Sequence, residues 1–152
     1  MRLYGKCLVL VADGQKARLF EERRRAGPLF EITAQLGDLS SHGPEASTHA
    51  GRVHDRRGAG SHTTGGPSPT EKRELGFIRR LAERIDAIAS GGGFDDLVIM
   101  AAPRALGQLR QSLAAGTIRR LSASEAHDRV ACRPEEIHAA LHALRLRPTA
   151  AD

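Results

Sequence analysis

From Leu97 to Ala102 the chain reads LVIMAA, without a polar side chain, between Asp96 and Pro103. Successive side chains on a strand point to opposite faces. A strand of this composition therefore cannot leave either face in water. The stretch FDDLVIMAAP is predicted as a short strand buried at the centre of a sheet. Cys7 to Ala12, CLVLVA, is the other continuous β-prone run. Asp13-Gly14 is a favoured turn pair, and Ala17 to Phe20 resumes a strand, so KCLVLVADGQKARLFEE reads as a hairpin. In LFEITAQL, Phe30, Ile32 and Leu36 roughly keep the two-residue period and predict a third strand.

The rest of the chain reads as helices alternating with strands. SPTE offers Ser68 as N-cap, Pro69 at the first helical position and Glu71 at the third, a capping box with proline where its missing N–H is harmless. The helix is predicted to run to about Ser90, with Leu75, Ile78, Leu81, Ile85 and Ile88 inward and a basic stripe of Arg73, Arg80 and Arg84. GGGF stops it. A helix from Ala105 to Ala114, an outer strand within GTIRRLSAS and a last helix opening at Pro134 complete the order. Three antiparallel strands followed by α-β-α-β-α predict a mixed α/β fold, one mixed sheet flanked by helices. At 152 residues and 40% hydrophobic the chain is the size of one domain, 1–152.

Residues 37–69 keep neither period and shift to Gly, Ser, Thr, His, Pro and Arg. A loop of that length inside one domain is uncommon and usually functional or disordered. It offers little apolar surface to offset its ordering entropy, so the amides of 38–66 are expected to exchange freely. Four histidines, His42, His49, His54 and His62, lie in it with Glu45 and Asp55. Clustered His and carboxylates can hold a transition metal, but none has a dedicated spacing such as H-E-x-x-H, and neither a metal nor another cofactor is expected. His54, Asp55 and His62 are the weak catalytic candidates. Ser61 and His62 are adjacent, which on an extended backbone points them apart.

The net charge of +5 favours anionic partners. With 3% aromatics and no Trp, a base-stacking surface for single strands is not expected. Arg52, Arg56, Arg57, Gly58, Gly60, Ser61 and His62 in the loop, with Arg73 and Arg80 on the helix, are the candidate RNA- or anion-binding residues. Their combination is a Gly-containing cationic loop that ends at a helix N-terminus. Two cysteines far apart, Cys7 and Cys132, argue against a zinc cluster or a disulfide scaffold. The first apolar run ends at Ala12, too short for a signal sequence or a membrane span, so a cytoplasmic chain without a membrane partner is expected.

VLVADGQKARLFE, GRVHDRRGAGSH, SPTEKRELGFIRRLAERI and FDDLVIMAAPRALGQLR, in this order, resemble the bacterial host-attachment protein family, whose members are described as required for attachment to host cells. Where that family usually has Gly-Arg-His, this chain has Gly60-Ser61-His62. The family in turn resembles the middle domain of archaeal and eukaryotic class I release factors and of Pelota-type rescue factors. That resemblance implies a loop presented to an RNA-lined cavity and a ribosome or structured RNA as partner. Release factors carry Gly-Gly-Gln in the loop, whereas here Gly58-Ala59-Gly60-Ser61-His62 and Gly65-Gly66-Pro67 come without glutamine, so Gly-Gly-Gln hydrolysis is not implied. The sequence thus ranks an RNA- or ribosome-associated protein first. An interaction protein for attachment or surface phenotype is the alternative, and a hydrolase using loop His and Asp comes third.

Overall fold

The computed structural model describes residues 5–40 and 66–147. Five strands, β1 (Cys7–Ala12), β2 (Ala17–Glu22), β3 (Leu29–Glu31), β4 (Asp96–Ala101) and β5 (Leu121–Ala126), form one sheet in the order β3-β2-β1-β4-β5. β1 pairs parallel with β4 and β4 parallel with β5, while β2 runs antiparallel to β1 and β3 to β2. The helices are α1 (Pro69–Ser90), α2 (Pro103–Ser112), the single turn α3 (Ala115–Ile118) and α4 (Pro134–Leu146). The sheet is mixed α/β, as the sequence predicts.

The two apolar runs lie side by side at the centre. Leu8, Leu10 and Ala12 join Leu97, Ile99 and Ala101 in a core with Ile78, Leu81 and Ile85 of α1 and Leu109 of α2. Cys7, Val9 and Val11 join Val98, Met100 and Phe20 on the other face, under Ile137, Leu141 and Leu144 of α4. Each fully buried Val, Leu or Ile contributes roughly 1.5–3 kcal/mol relative to leaving it in water. The doubly apolar composition is thus explained by three layers, helix, sheet and helix.

α1 has the predicted boundaries and cap. The Glu71 N–H donates to Ser68 Oγ at 3.1 Å, and the Ser68 N–H donates to Glu71 Oε1 at 2.9 Å. Its buried stripe is shifted, however. Phe77 is buried, whereas Leu75 and Ile88 are only half-buried. The first turns of α1 meet the β1–β2 hairpin and the start of α2, with Glu74 against Gly14 and Glu71 paired to Arg104.

Elsewhere tertiary contacts override local patterning. The third strand stops at Glu31 and gives way to a 3₁₀ turn, Thr33–Leu36. Thr33 Oγ1 accepts the Leu19 N–H at 3.0 Å, so a side chain takes over where a backbone ladder bond would continue. The turn drives Leu36 into the core. The expected strand in GTIRRLSAS begins late because α3 occupies its first half. Asp86 of α1 accepts the Ala114 N–H at 3.1 Å and the Thr117 hydroxyl at 2.6 Å, which ties α3 to α1. α2 runs from Pro103 to Ser112, two residues earlier at each end than predicted, and leaves Leu113 buried but extended. The loop expectation from 41 to 65 lies outside the described residues.

Candidate functional site

β1 and β4 end together, joined where the Ala102 N–H donates to the Ala12 carbonyl at 3.2 Å. From there the chain leaves in opposite directions, from β1 into the hairpin toward β2 and from β4 into α2. In open α/β sheets such a divergence outside the carboxyl ends makes a crevice where ligands commonly sit. Here a recess of about 320 Å³ occupies it, lined by Asp13, Gly14 and Gln15 on one side and Arg104, Ala105 and Gln108 on the other. The hairpin wall is fixed by its own residues. Asp13 Oδ1 accepts the Gln15 and Lys16 N–H groups at 2.7 and 2.6 Å, which turns this carboxylate into its own backbone.

α2 starts in this crevice without a side-chain cap, and Pro103 occupies its first turn. The positive end of its dipole lies at the recess wall. Arg104 Nη1 donates to Glu71 Oε2 at 3.0 Å and ties the start of α2 to the start of α1. The Glu71 carboxyl is held below its usual range, first by the Ser68 N–H and then by Arg104. A second, wider recess of about 560 Å³ adjoins the first through Gln15, with Leu36, Leu39 and Phe77 among its apolar walls and Lys16 and Arg18 among its cations.

Of the candidate anion-binding residues, Arg73 and Arg80 lie within the described structure. Arg73 is exposed on α1, its Nη2 reaching only Thr70 Oγ1 at 3.3 Å. Arg80 is half-buried and its Nε donates to the Leu39 carbonyl at 2.6 Å. Arg84 Nε likewise donates to the Leu36 carbonyl at 3.2 Å. The stripe predicted as one basic surface therefore divides: Arg80 and Arg84 brace the segment Leu36–Leu39, and Arg73 faces water. Lys72 and Arg79, which the stripe did not include, are exposed beside it, and neither pairs with a carboxylate among the described residues.

Arg52, Arg56, Arg57, Gly58, Gly60, Ser61 and His62 lie outside the described residues, as do His42, His49, His54, Glu45 and Asp55. Both ends of the stretch holding them attach at the carboxyl edge of the sheet. Ser40 lines the wider recess with Gln15 and Lys16, and Ser68 caps α1 beside Arg104. Among the described residues no group of three His, Cys, Asp or Glu side chains could hold a metal ion, and no helix is long and apolar enough to cross a membrane. Gln15, Arg104 and Gln108 are site residues that the sequence did not reveal. The one available signal was that DG and AAPR each directly follow a buried-strand pattern.

A family model described as "Protein required for attachment to host cells" matches residues 8–141, from β1 into α4. This match lends no support to the release-factor likeness. No curated protein matches the chain.

Proposed function

The chain belongs to the family of proteins required for attachment to host cells, and from that membership we propose that it serves attachment as a binding protein for an anionic partner. The observation that carries the partner class is the outer side of α1. Lys72, Arg73 and Arg79 stand exposed there without a carboxylate partner among the described residues, whereas Arg80 and Arg84 are engaged with backbone carbonyls. Unpaired cations on a rigid helix attract anions at no cost in broken internal ion pairs. α1 contributes Glu74 and Phe77 to the recesses at the carboxyl edge, while the three cations lie on its outer side.

A strain deleted for this protein is expected to lose attachment, and the parent chain to restore it. The variant Lys72→Glu/Arg73→Glu/Arg79→Glu should accumulate to the same level and fail to restore it. Full restoration by that variant would remove α1 from the account. Cell fractionation is expected to place the chain in the cytosol, with attachment affected indirectly; recovery from a surface fraction would mean direct contact.

The finer reading, an RNA- or ribosome-associated protein of the release-factor-like class, draws on the same cations together with Arg52, Arg56 and Arg57. The net charge of +5 favours it. Under it, sedimentation with ribosomes falls as salt rises, and replacing Arg56, Arg57 and Arg73 by Ala flattens that dependence by roughly 0.7 to 0.9 in log–log slope per lost phosphate contact. Absence of ribosome association at low salt leaves the attachment reading alone. No catalytic step is assigned to His54, Asp55 or His62.

A further inference from the structure

We draw no further inference here: the strongest candidate, the recess where the uncapped start of α2 meets the β1–β2 hairpin, belongs to the site already described, and among the described residues no buried polar side chain without a partner points into it to say what would fill it.

Discussion

Glu22 is 1% exposed, yet it carries a carboxylate on β2. Arg145 of α4 meets it in a fork, Nη1 to Oε2 2.8 Å and Nη2 to Oε1 2.7 Å. Removing one partner of such a pair leaves the other charge buried and alone, so Arg145→Ala is expected to cost about 3–5 kcal/mol in urea unfolding. Replacing both with apolar residues of similar volume should cost much less. A second buried carboxylate, Glu125, is held below its usual range, first by Arg129 and then by His127 and Arg147. A depressed folded-state value means that the stabilisation is complete above the unfolded value of about 4.3 and is lost as pH falls through the lower folded one. The urea midpoint should therefore hold from neutrality to about pH 5 and decline below about pH 4, and Glu125→Gln should shallow that decline. Arg18 lowers Glu31, and Arg23 with Lys6 lowers Glu21, so both add to the same acid limb. Cys7 beneath α4 is pushed up to about 12 by burial. Because the thiolate is the reactive form, a disulfide reagent at pH 8 should label Cys132 in the native chain and both cysteines only after denaturation.

At the scale of elements, α1 is the best case for reading a helix from letters. Its start at Ser68-Pro69 and its end at Ser90 depend on interactions within three or four residues, and sequence neighbours decide those. Ser68→Ala should cost about 1 kcal/mol. Ile78→Ala, at the centre of the buried stripe, should cost about 2–5 kcal/mol by leaving a cavity. β1 and β4 were legible for a similar reason, since an apolar run excludes water from both faces wherever it pairs. Where the decision belongs to a distant partner, the letters fail. Nothing near Thr33 announces that its hydroxyl will accept the Leu19 N–H and end β3, and nothing near Thr117 shows that its hydroxyl will donate to Asp86 and hold α3 in place. The candidate crevice was illegible on the same grounds. It exists because Ala12 registers with Ala101, a pairing across 89 residues that brings Gln15 to face Arg104 and Gln108.

The whole molecule presents its cations in two different conditions. Some are consumed by structure, as Arg145 is by Glu22, Arg129 by Glu125 and Arg80 by the Leu39 carbonyl. Others, on the outside of α1 and at Arg24 and Arg25 on the β2–β3 turn, stand exposed without a carboxylate partner among the described residues. A net charge of +5 alone would let any exposed arginine serve a nonspecific attraction to anions. A binding surface requires position to matter. Two variants with identical charge change separate these cases: Arg73→Glu/Arg79→Glu on α1 and Arg24→Glu/Arg25→Glu on the turn. Neither should move the thermal midpoint appreciably, since exposed charges usually contribute within about 0.5 kcal/mol. The decisive measurement is the number of host-bound cells of the deletion strain carrying each variant at matched protein level. The account predicts that the α1 variant falls to the level of the deletion while the turn variant stays near the parent; equal attachment by the two would contradict it.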